Sequence, residues 1–140
     1  MAGDLNDFGS LKAALKGTTL LFAATNSFEP FSTVDGDTAA KIEATQGMHV
    51  ARAAAEVPTL HHFVWSTLPS AAKWSDGKYS VPHFEGKHAV DEYIKTVPAL
   101  LEKTTFLYVT WYAQNLTYPM FTPALNVSTL LHRHSGRRRD

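Results

Sequence analysis

Three apolar runs of strand length constrain this chain more than any other feature. Residues 19–25 (TLLFAAT), 61–67 (HHFVWST) and 104–110 (TTFLYVT) are near-continuous hydrophobic stretches, the pattern of strands covered on both faces as in parallel sheets. Helical patterns precede and separate them. Phe8, Leu11 and Leu15 recur at spacings of three and four up to a stop at Gly17. Residues 38–56 predict the clearest helix, rich in alanine, with Ile42, Val50, Ala51 and Ala54 on an inward stripe, Asp37 or Thr38 as N-cap and Pro58 beyond its end. A further helix is predicted from Pro82, a first-turn proline, through Ile94, and Pro98 interrupts that pattern. Residues 26–37 and 70–81 read as loops. The alternation predicts an α/β fold with right-handed crossovers and a parallel sheet.

Length and composition set the outer bounds. A chain of 140 residues with 44% hydrophobic content is expected to form one domain with an ordinary core. It has no cysteine, which excludes disulfides, cysteine zinc sites and thiol nucleophiles. No apolar run reaches the roughly 18 residues of a membrane span, and Asp4 and Asp7 replace the basic start of a signal peptide, so the expected compartment is cytoplasmic or nuclear. The formal charge is zero but uneven. Residues 132–140 hold four arginines against Asp140, leaving 9 basic against 12 acidic residues in the body. Such a stub without aromatics reads as a solvated, disordered tail rather than a nucleic-acid arm.

In open α/β sheets ligands bind beyond the carboxyl ends of the strands. Those ends are Thr25-Asn26, Ser66-Thr67 and Thr110-Trp111-Tyr112, each pairing hydrogen-bonding groups with nearby aromatics, which suits a flat heteroaromatic or a sugar. The competing reading is that Thr and Asn merely cap the next element. Lys87 lies near the start of a predicted helix, where a cation opposes the macrodipole, and its stem over the sheet would let it reach a ribose hydroxyl or phosphate. The plainer reading is a solvated surface lysine. The seven histidines lack metal-ligand spacing: His61 and His62 would point to opposite faces of a strand, and His83 and His88 are five apart. Ser66 has no small-residue elbow around it, and no phosphate-cradling glycine loop occurs in the sequence.

Taken jointly and in order, GDLND at 3–7, SLKAALKG at 10–17, ATN at 24–26, HFVWS at 62–66, VPHFEGK at 81–87, FL at 106–107 and YAQNL at 112–116 resemble the NmrA-like family, a branch of the atypical short-chain dehydrogenase/reductases, in its fungal wording. The resemblance covers residues 1–125 and leaves 126–140 as a divergent basic tail. It implies a Rossmann-type domain that binds NADP or NAD. Asp4 and Leu5 would follow the family's third strand beside the adenine, Thr25 and Asn26 its fourth strand near the adenosine ribose, and Ser66 its fifth. Lys87 would reach the nicotinamide ribose hydroxyls, with Tyr112 and Asn115 on the nicotinamide and substrate side.

Two departures from the family pattern carry consequences. Catalytic relatives place a tyrosine four residues before the lysine, whereas here that position is His83, which points to a dinucleotide-sensing regulator with weak or no catalysis. An NAD(P)H-dependent reductase using His83 and Lys87, or a remnant without small-molecule function, remain the alternatives. The chain also reads as N-terminally truncated, opening where the third strand of the family ends. The first βαβ unit with its glycine-rich turn would then be absent, binding by these residues alone would be weak, and an open sheet edge would be left for a protein partner.

Overall fold

The computed structural model describes residues 2–26, 28–109 and 113, apart from the side chains of Phe28 and Phe31. The described residues up to Val109 belong to one compact unit. Tyr112, Asn115 and the tail 126–140 lie outside the described residues. Along the chain run α1 (Phe8–Leu15), β1 (Leu20–Ala23), α2 (Phe28–Phe31), α3 (Gly36–Ala55), β2 (His62–Thr67), α4 (Ala71–Trp74), α5 (Pro82–Lys95), α6 (Pro98–Leu101) and β3 (Thr104–Tyr108).

The three apolar runs form one all-parallel sheet in the order β1-β2-β3, with Leu21 opposite Phe63 and Trp65 opposite Phe106. It is the α/β architecture with a parallel sheet that the alternation predicts, and it is consistent with the partial Rossmann type that the family resemblance implies. Parallel pairing needs a crossover between neighbouring strands, and α3 and α5 serve that purpose.

Local chemistry explains the boundaries. Asp7 caps α1 by accepting from the backbone N–H groups of Gly9 and Ser10, and Gly17 turns the chain at φ 77° before β1. The N-cap of α3 is Asp35, ahead of the expected Asp37 or Thr38, because its carboxylate takes both the backbone N–H of Thr38 at 3.0 Å and the Thr38 hydroxyl at 2.7 Å. Both presumed loops contain a single helical turn, α2 and α4. Glu85 holds α4 in place by accepting from Ser70 Oγ at 2.7 Å and from Ala72 N at 3.0 Å.

The core lies on one side of the sheet. Leu11, Val50, Ala51, Ala54, Phe63, Trp65, Val90, Ile94 and Leu100 cluster between α1, α3, α5 and α6 and one face of the strands. The register puts Leu20, Phe22, Val64, Ser66 and Leu107 on the opposite face. There the structure corrects the sequence reading, since Leu20 is 65% and Phe22 57% exposed. Among the described residues no helix covers that face, so β1 is buried on one side only.

Two glycines let α3 and α5 approach closely. A Cβ on Gly86 would stand 2.8 Å from the Ala40 carbonyl oxygen, and one on Gly47 would stand 2.7 Å from Val90 Cγ2 and 3.0 Å from Trp65 Cη2. The first contact places the residue after Gly86, which is Lys87, beside Glu43, one turn along α3 from Ala40.

Candidate functional site

Lys87 is 9% exposed, which overturns the reading of a solvated surface lysine. Its ammonium group donates to Thr25 O and Thr25 Oγ1, each at 2.9 Å, and pairs with Glu43 Oε1 at 2.8 Å. The Thr25 hydroxyl in turn donates to Glu43 Oε1 at 2.8 Å. Lys87 Nζ also stands 5.8 Å from the Trp65 ring centroid, within cation–π range. A lysine from α5 is thus held at the carboxyl end of β1, where the α/β fold places ligands.

Glu43 went unremarked in the sequence, although a signal existed. The buried positions of α3 are Ala39, Ala40, Glu43, Gly47, Val50, Ala51, Ala53 and Ala54, and Glu43 is the one charged residue among them. A carboxylate on an apolar helix stripe demands a cation.

One turn before Lys87 on α5, His83 is half-buried and packs edge-on against Phe84 with ring centroids 4.8 Å apart. Burial, the largest influence, holds its pKa below the ordinary 6.5; Glu43 pulls it upward and Lys87 pushes it down. One turn after Lys87, the fully buried Asp91 accepts from Trp65 Nε1 at 2.9 Å and from the Tyr108 hydroxyl at 3.4 Å. Burial raises the Asp91 pKa above its ordinary value against the bonds from Thr67 and Trp65. The Trp65 indole is therefore anchored at its N–H by Asp91 while its ring faces the Lys87 ammonium.

A separate cleft of about 490 Å³ brings together Asp4, Leu5, Asn26, Glu29, Ile42 and Gln46. The strand-free segment that supplies Asp4 and Leu5 is tied down at several points. Asp4 N donates to Ser10 Oγ at 3.0 Å, Gln46 Nε2 donates to Asn6 Oδ1 at 3.1 Å, and His49 Nδ1 meets Leu5 O at 3.0 Å. Thr25 and Asn26 are consecutive, so they link this cleft to the Lys87 cluster. Ser66 stands apart: it is half-buried on the face of β2 opposite to Trp65 and Thr67. Among the described residues no group of His, Asp and Glu side chains has metal-binding geometry.

A three-stranded all-parallel sheet flanked by helices, with a cleft beyond the end of β1, is the α/β architecture of a partial Rossmann-type fold. The sequence profile of the NmrA-like family matches residues 1–130. The chain belongs to that family, and it is an NAD(P)-binding domain protein of Rossmann type.

The residues present fit such a cofactor. Lys87 and Thr25 lie at the end of β1, and the neighbouring cleft joins the apolar Leu5 and Ile42 to the amides of Asn26 and Gln46, side chains of the kind that can hold a sugar and a heteroaromatic ring.

Proposed function

We propose that this chain is a dinucleotide-sensing regulator of the NmrA-like type, with weak or no catalysis. The observation that supports this reading is the state of His83. Reduction of a carbonyl by NAD(P)H needs an acid to protonate the developing oxyanion, and the acid form of histidine that serves well is the imidazolium. Burial of His83 disfavours that form at neutral pH. In this reading Lys87 and Thr25 hold the sugar, Asn26, Asp4 and Leu5 form the adenine side, and Ser66, Tyr112 and Asn115 complete the assignment by family likeness. When bound, NAD(P) supplies the hydride donor or acceptor; the residues described here bind and orient it.

Calorimetric titration with NADP and with NAD, followed by assay of NADPH oxidation with a panel of carbonyl compounds, tests the reading. Weak binding without turnover is expected. Lys87→Ala abolishes that binding, and unchanged affinity removes Lys87 from the site. Turnover that is lost in His83→Ala would establish the reductase alternative instead.

A second role rests on the open sheet face. Among the described residues the outer edge of β1 pairs with no strand, and Leu20 and Phe22 are exposed beside it. This apolar edge suits a protein partner. No helix among the described residues is long and apolar enough to cross a membrane, and cytoplasmic or nuclear residence is part of the proposal. Nucleic acid is not proposed as a partner, because the body has an excess of acidic residues and the four arginines lie in a stub without aromatics.

A further inference from the structure

A lysine ammonium has three N–H donors, and in this chain Thr25 O, Thr25 Oγ1 and Glu43 Oε1 take all three. Lys87 can therefore serve a ligand hydroxyl only by giving up one of these contacts. The three are not equivalent. The contact to Glu43 joins two opposite charges at 1% and 9% exposure, and charge-assisted bonds are roughly twice as strong as neutral ones. The contact to Thr25 O is to backbone at the end of β1. The contact to Thr25 Oγ1 is neutral, and that hydroxyl keeps its own bond to Glu43 Oε1 if Lys87 leaves it. The Thr25 hydroxyl is the exchangeable partner.

Glu43 is also placed to stay. It has 1% exposure on the α3 stripe, and its second oxygen, Oε2, is buried with no hydrogen-bond partner among the described residues. Releasing Lys87 would leave this carboxylate with only the Thr25 hydroxyl, a buried and uncompensated charge. We propose that Glu43 is the positioning residue for Lys87: it keeps the ammonium group at the carboxyl end of β1 while the Thr25 hydroxyl yields its place to a sugar hydroxyl of the ligand. The identity of the ligand rests on the dinucleotide reading; the clamp itself is made by Lys87, Glu43 and Thr25.

The test uses the full 140-residue chain and has an arm that needs no dinucleotide. Reductive methylation with formaldehyde and cyanoborohydride, read per lysine by mass spectrometry, reports how tightly each amine is held. Lys87 should react much more slowly than the exposed Lys41 and Lys73. Glu43→Gln should speed Lys87 by roughly tenfold, the scale of one lost bond to a charged group, with Lys41 and Lys73 unchanged. Glu43→Asp, which keeps the charge but shortens the reach, should fall between them, and Thr25→Val should leave Lys87 slow. An unchanged Lys87 rate in both Glu43 variants overturns the proposal. Should Glu43→Gln fail to fold by circular dichroism, Glu43→Asp reacting no faster than Thr25→Val overturns it equally.

The second arm titrates NADP. Glu43→Gln should weaken binding roughly tenfold, and Glu43→Asp should weaken it by less. Affinity unchanged in Glu43→Gln would mean that Glu43 does not position Lys87 for the ligand, contrary to the proposal. If the wild-type chain binds no NADP, the dinucleotide reading fails and the methylation rates alone decide whether the clamp exists.

Discussion

Gly86 lies so close to Ala40 that a methyl group on it would stand 2.8 Å from the Ala40 carbonyl oxygen and 3.3 Å from its Cα. Both obstacles are backbone, which cannot rotate aside as a side-chain tip would. Gly86→Ala therefore pushes α5 away from α3, and the expected cost is about 1–3 kcal/mol, typical of overpacking. Because Lys87 is the next residue, the same variant should also speed its methylation. A urea midpoint equal to that of the wild type would show that the helix contact is looser than described.

Trp65 and Asp91 provide a second check. Trp65→Phe keeps most of the apolar bulk but removes the N–H that Asp91 Oδ1 accepts at 2.9 Å. Leaving a buried carboxylate short of a partner should destabilise by about 1–3 kcal/mol. Asp91→Asn retains an acceptor toward the indole and should lose less, so the reverse ranking in urea denaturation would contradict the assigned bond.

For His83 the linkage has a definite sign. Its folded pKa lies below the ordinary 6.5, so between those two values the unfolded chain binds more protons than the folded one. Stability from this group is fully present above about pH 6.5 and is lost as pH falls through the folded value. Asp91 acts in the opposite sense, since its raised pKa gives a contribution lost as pH rises above the ordinary 3.8. His83→Asn should flatten the rise in urea midpoint expected as pH increases toward about 6.5. An identical slope in the variant would assign that dependence elsewhere.

Leu20 and Phe22 stand on the sheet face away from the core, and Phe22 is 57% exposed. Phe22→Lys should change stability by no more than about 0.5 kcal/mol, while reducing self-association measured by sedimentation velocity. A wild-type chain that sediments as a monomer at its highest soluble concentration would argue against a sticky edge.

Much of this protein could be deduced from sequence, because parallel-sheet strands must be apolar along their length and their crossovers must be helical. The three runs, Gly17, the Pro82 helix start and the family wording are local signals, and each survives in the folded chain. Thr25 and Asn26 could be named because they follow a strand end, and Lys87 because a cation near a helix start opposes the macrodipole.

Tertiary structure alone decided what those residues do to one another. Helix periodicity puts Glu43 on the inward stripe of α3, but not opposite a lysine 44 positions later; the Gly86–Ala40 contact brings the two together. Sequence likewise could not show that the helices cover one sheet face and leave Leu20 and Phe22 exposed, because an apolar run reads the same whether one face or both are buried. Charge pairing and coverage depend on which surfaces meet, and that is a property of packing rather than of any segment.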